Sequence, residues 1–289
     1  MSYENIVKVG DASLNVYSEG SGSRTIVFMA DLGITSPVLE YRPLYTKMAE
    51  RYRVVVIEKS GYGYSGHMIS KRTIENLVME DRYSLKAAGI EPPYVLAVHG
   101  YGGIEAVYWA TQYPEEVKGI LGIDMGMPDH ALAVAKELSE MKRQEMVRKR
   151  RDFLIKVAKK GLMSKLLYKQ TLDVSGLMSG GYLTAEEKAQ YKELYYKNLL
   201  NEEVSDESVL MTENATKAHD SGKVQCPMCL FISDMNGQMK SISWRELSVS
   251  FAKRANAEYH LSDTGHYPYS KIPGMMADTF MTFIEKNCK

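Results

Sequence analysis

YVLAVHGYGGIEAVYWATQYPEEVKGILGID, residues 94–124, is the most informative stretch of the chain. Tyr94 to Val98 is a continuous apolar run with β-branched members, the composition of a strand covered on both faces. His99-Gly100-Tyr101-Gly102-Gly103 follows as a sharp turn and leads into a helical pattern whose Gly103, Ala106 and Ala110 share one face. Small residues on that face let a helix approach a sheet closely. GILGID (119–124) then reads as a second buried strand, so the stretch is strand, turn, helix, strand.

On the N-terminal side, TIVFMA (25–30) and YRVVVIE (52–58) are further near-continuous apolar strands. Ile74, Leu77, Val78, Leu85 and Ala88 recur at helical spacing and predict an amphipathic helix over 71–89. ENIVKVG and ASLNVYSEG, with GD between them, predict an antiparallel hairpin at the sheet edge. Past Pro128 the strand pattern stops. Residues 129–222 are rich in Lys, Glu and Met, with helix-like spacing such as Phe153 to Val157, and predict a helical insertion. Strand character returns at PMCLFIS (227–233) and AEYHLS (257–262), each followed by a helix. The expected class is α/β, a mostly parallel sheet whose core spans 1–127 and 223–289 around a helical cap at 128–222.

Composition narrows the function classes. The 36 basic side chains balance the 36 acidic ones, so no net field favours nucleic acid. The longest apolar runs, such as VVVI at 54–57, fall far short of the roughly 20 residues of a spanning helix, and no membrane association is expected. The start, MSYENIVKVG, lacks the basic and apolar regions of a secretory signal. Three cysteines, an odd number, make no disulfide framework, and a reducing cytoplasm is the expected location.

The chain resembles the α/β-hydrolase superfamily, whose nucleophile elbow is a strand, a G-x-S-x-G turn and a helix. The resemblance runs on through EKSGYGYSG (58–66), YPEEVKGILGID, the helical stretch and a late TGHYP (264–268). It implies a hydrolase needing no cofactor or metal. In the family's register the nucleophile position is Gly100, which carries no hydroxyl, and no cysteine stands at the elbow to replace it. Gly100 is either an altered position of a serine enzyme or a natural feature of a protein working without a covalent nucleophile. His266 matches the family's general base. The acid falls on one of two strand ends, Asp124 as the last residue of GILGID or Asp234 after PMCLFIS, with strict register on Asn236. The oxyanion hole maps to the backbone N–H groups of Tyr101 and Leu32. Asp31, where the family has a His-Gly pair, would oppose negative charge developing there unless turned away or protonated.

Two features carry less. Cys226-Pro-Met-Cys229 has C-x-x-C spacing, but residues three apart on a strand face opposite ways, so buried thiols are expected. The nine Lys and Arg of 142–160 interleave with apolar residues and read as a solvated helix face. Tyrosines and methionines near the site (Tyr64, Tyr101, Met125, Met127, Tyr267) suggest an apolar cleft for a small uncharged ligand.

Three functions remain. The first is esterase-like hydrolysis of a small apolar ester or acyl compound, in which Gly100→Ser is expected to restore turnover. The second is a non-covalent lyase with His266 as base. The third is a ligand-binding protein without turnover.

Overall fold

The computed structural model describes residues 2–137, 142, 145, 149, 172–199, 201–235 and 243–289. Eight strands form one sheet in the order β1-β2-β4-β3-β5-β6-β7-β8. The predicted hairpin is its antiparallel edge, β1 (Ile6–Val9) on β2 (Ala12–Glu19), with Ile6 opposite Asn15. The remaining strands run parallel: β3 (Thr25–Met29), β4 (Arg53–Glu58), β5 (Tyr94–Gly100), β6 (Val117–Met125), β7 (Met228–Ile232) and β8 (Glu258–Leu261). The apolar runs at 25–30, 52–58, 94–98 and 119–124 lie in β3 to β6, buried because helices cover both faces.

On one face, Ile74, Val78 and Leu85 of α3 (Ile74–Ala87) and Ile104, Val107 and Trp109 of α4 (Gly102–Gln112) pack on Val27, Val55 and Leu96. On the other, α1 (Pro37–Glu40) and α2 (Arg42–Met48) join the C-terminal helix at Pro273–Asn287. Tyr41, Leu44 and Tyr45 meet Phe280 and Ile284 over Phe28 and Val56. The helix predicted over 71–89 starts three residues later, where Asn214 Oδ1 accepts from the N–H of Ile74.

Among the described residues of 128–222 no strand occurs. They include α5 (Pro128–Glu137), α6 (Ala185–Asn198) and α7 (Glu202–Asp220). α6 opens on a capping box, with Thr184 and Glu187 exchanging side-chain to backbone bonds. The expected helical spacing of Phe153 to Val157, most of the basic stretch 142–160, and Asn236 lie outside the described residues. No helix among the described residues is long and apolar enough to cross a membrane.

Candidate active site

The parallel strands end on one side of the sheet, and the loops leaving those ends bring the predicted site residues together. Gly100 terminates β5 with φ +48°, the left-handed conformation a strand-to-helix elbow needs and that glycine adopts without strain. The β5–β6 register shifts at this step, pairing Gly100 with Met125. His266 sits on the loop after β8. Its Nδ1 lies 2.7 Å from Oδ2 of Asp124, the residue at the end of β6. Asp124 itself has φ +46°, a conformation costly for a non-glycine residue and held here by three further donors. Ser233 donates its backbone N–H to Oδ1 at 2.7 Å and its hydroxyl to Oδ2 at 2.7 Å, and Trp244 donates Nε1–H to Oδ1 at 2.9 Å. Asp234 is next to Ser233, yet both ring nitrogens of His266 are taken by other carboxylates. Of the two strand-end acids, Asp124 is the one bonded to His266.

The second carboxylate on His266 is Asp31. Its Oδ2 lies 3.1 Å from His266 Nε2, and its Oδ1 accepts the backbone N–H of Tyr101 at 2.6 Å. A β-carbon built on Gly100 would stand 2.0 Å from Cγ of Asp31 and 2.1 Å from Oδ1. The carboxyl group of Asp31 therefore fills the space of the missing elbow side chain and uses one of the two backbone donors assigned to the oxyanion hole. Leu32, which carries the other, lines a cavity of about 30 Å³ beside Tyr101 and Ile104.

Charge follows from this geometry. Burial works against an imidazolium at His266, but the carboxylates of Asp124 and Asp31 outweigh it and push its pKa up to about 10. Burial likewise opposes ionisation of Asp31 and Asp124, and the bonds to His266 reverse that and hold both below the usual carboxylate range. The resting site is an imidazolium between two carboxylates. Asp31 is neither turned away from the site nor favoured in its protonated form, because the charged His266 beside it stabilises the carboxylate.

The strand residue before the elbow, His99, is buried and neutral, its pKa lowered to about 4 by burial and by the charge on His266. It bridges Tyr41 and the carbonyl of His266. Neither Tyr41 nor His99 stands out as a site residue in the sequence. A second unforeseen group joins the elbow region to α7. Glu207 accepts from Arg72 Nη2 (2.7 Å), Lys59 Nζ (3.3 Å) and the Tyr62 hydroxyl (3.0 Å), all buried. Tyr62 in turn accepts the N–H of Gly33 at 3.2 Å, two residues beyond Asp31. The one sequence signal for this group is the charged pair Glu58-Lys59 directly after the apolar VVVI.

Ligand atoms of Asp31, His99 and His266 lie within 4.8 Å of one another. Their imidazole nitrogens are already engaged by Tyr41, Asp31, Asp124 and a carbonyl, so this set does not fit a metal ion. Cys229, Glu258 and His260 converge similarly near the β8 edge. There burial and the nearby Glu258 push the Cys229 thiol up to about 12, keeping it protonated. Cys226 and Cys229 are free thiols, but the expectation of two buried thiols on one strand holds for Cys229 alone, because Cys226 precedes β7 and is half-buried.

A mostly parallel sheet covered on both faces, an elbow after β5 and a histidine–carboxylate pair at the strand ends together define an α/β-hydrolase. No protein-family profile matches the chain. It is similar to the uncharacterized Bacillus subtilis protein YbdG, 31% identical over 288 residues that cover 97% of this chain and 85% of YbdG. A stretch of 118 residues is 26% identical to 2-(acetamidomethylene)succinate hydrolase of Mesorhizobium japonicum, covering 41% of each chain. The fold matches a solved structure of a Vigna radiata epoxide hydrolase variant with a TM-score of 0.69 at 17% identity, covering 98% of both chains. The chain belongs to the α/β-hydrolase superfamily.

Proposed function

We propose that the protein hydrolyses a small apolar substrate at a saturated carbon, with Asp31 as nucleophile and with His266, oriented by Asp124, activating water. The observation that carries this reading is the Asp31 carboxyl in the space above Gly100, bonded to Tyr101 N–H through one oxygen and to His266 through the other. Ester hydrolysis on the serine pattern needs a hydroxyl at position 100 and a free oxyanion hole, and Asp31 takes both.

In the first step Oδ2 attacks carbon, a C–O bond forms, and the leaving group departs with the electrons of its bond. In-line displacement puts that group on the far side of the carbon from His266. A leaving group stable as an anion, such as a halide, needs no proton there. Esterification removes the charge on Asp31, which lowers the proton affinity of His266, and the imidazolium loses its proton to solvent. Neutral His266 then takes a proton from water as the water adds to the Asp31 ester carbonyl, and Tyr101 N–H holds the resulting oxyanion at Oδ1. Collapse breaks the ester C–O bond and releases the alcohol with the proton from His266. The proton left on Asp31 returns to His266. The sum is substrate plus water giving alcohol, a proton and the leaving anion.

The division into core (1–127, 223–289) and cap (128–222) accompanies this proposal, as does a cytoplasmic location, supported by the three free thiols. A panel of short alkyl halides, epoxides and p-nitrophenyl esters, assayed for wild type and His266→Ala, tests the function. A single turnover in H2¹⁸O with enzyme in excess tests the route. The expected result is label in the Asp31 peptide and unlabelled alcohol, whereas label appearing first in the alcohol would exclude Asp31 as nucleophile.

A further inference from the structure

We propose that Tyr41 and His99 form a buried hydrogen-bonded strut that sets the distance between Asp31 and His266, making both positioning residues. The inference rests on the reading of Asp31 and His266 as the reacting pair.

The roles in the strut are fixed by chemistry. His99 Nε2 lies 2.8 Å from the backbone carbonyl oxygen of His266, which can only accept, so Nε2 carries the hydrogen. In the neutral ring Nδ1 is then an acceptor, and it lies 3.1 Å from the Tyr41 hydroxyl, which must donate. The remaining lone pairs of that hydroxyl accept the backbone N–H of Asp31 at 3.2 Å. The chain therefore runs from Asp31 N–H through Tyr41 and His99 to the carbonyl of His266, and each end is the backbone of one partner in the ion pair.

The topology shows why such a tie is useful. Asp31 follows β3, which is hydrogen-bonded to β5, but His266 follows β8, three strands from β5 and so about 14 Å away across the sheet. The last ladder contact of that segment is Ser262 N–H to the carbonyl of Ile232 at 2.9 Å. The next four residues reach back over β7 and β6. Asp124 holds the ring of His266, and His99 anchors its backbone. The strut is rigid because Tyr41 and His99 are both fully buried, and the ring of Tyr269 stands edge-on to each at 5.1 Å.

A purely structural role, satisfying a buried imidazole, would alter stability without altering the ion pair. The discriminating readout is the titration of His266, followed by NMR of its ring nitrogens in the full-length protein. The groups facing that ring are Asp31, Asp124, His99, Trp244 and Tyr267, and none is changed except His99 itself. Tyr41→Phe and His99→Leu each cut the strut. Both are expected to lower the His266 pKa by about one unit or more, a tenfold loss of proton affinity. His99→Gln can donate to the carbonyl and accept from Tyr41, and is expected to keep the wild-type value. Wild-type titration in both cut variants, or a Gln variant that falls as far as Leu, overturns the strut. If His99→Leu does not fold, Tyr41→Phe, which removes a single oxygen, decides alone. The titration needs no turnover, so its failure is separable from failure of the isotope experiment.

Discussion

The carboxyl carbon of Asp31 and the α-carbon of Gly100 are so placed that a β-carbon on residue 100 would overlap Asp31 at 2.0 Å. A side chain at residue 100 therefore requires the Asp31 side chain to leave the position it holds between Tyr101 and His266. The sequence-based expectation that Gly100→Ser alone restores an esterase does not fit this geometry. Gly100→Ser is expected to remain unlabelled by a fluorophosphonate and to lose thermal stability, from both overlap and the left-handed φ. Asp31→Gly combined with Gly100→Ser clears the space and is expected to gain labelling, read by intact-protein mass spectrometry.

Stability should peak near neutral pH, because the histidines pull in opposite directions. The folded pKa of His266, about 10, exceeds its unfolded value, so its contribution is complete below about 6.5 and lost as pH rises toward 10. Burial lowers His99 and His130 to about 4, so their contributions are complete above about 6.5 and lost as pH falls through 4. Calorimetry across pH 4–10 should show both slopes. His266→Gln is expected to flatten the alkaline one, and an unchanged alkaline slope would contradict the ion-pair assignment.

Asp124→Asn replaces an acceptor that serves Ser233, Trp244 and His266 at once. We expect hydrolysis to fall by roughly 10³–10⁴-fold through loss of the His266 orientation, against a change of less than about threefold for Asp234→Asn. Comparable losses in kcat for the two variants would point to the other strand end.

Glu207→Gln removes one of two carboxylates from each of Lys59 and Arg72, which keep Glu105 at 2.7 Å and Glu80 at 2.6 Å. The expected cost is about 1.5–3 kcal/mol in urea unfolding. Tyr62→Phe, which removes one hydroxyl between Glu207 and Gly33, should cost about 1 kcal/mol. A smaller loss for Glu207→Gln than for Tyr62→Phe would remove Glu207 from the centre of the group.

Much of the scaffold is legible in the chain because buried parallel strands carry almost no polar residue, as in Val54 to Ile57. His266 is legible from its place after the last strand. The choice between Asp124 and Asp234 is not, since it depends on how the loop after β8 crosses its neighbours. Asp31 reads in the sequence as an obstacle to an anion. The fold makes it the anion, because Tyr101 N–H and His266 point at its own oxygens. Tyr41 and His99 look like ordinary core aromatics until the backbone atoms at either end of their contact are known.

The partners Asp31 and His266 are 235 positions apart in the chain. Their contact ties the loop after β3 to the loop after β8 across β5, β6 and β7, so one ion pair staples an early part of the chain to a late one. Loss of either partner is therefore expected to loosen both loops together rather than one alone.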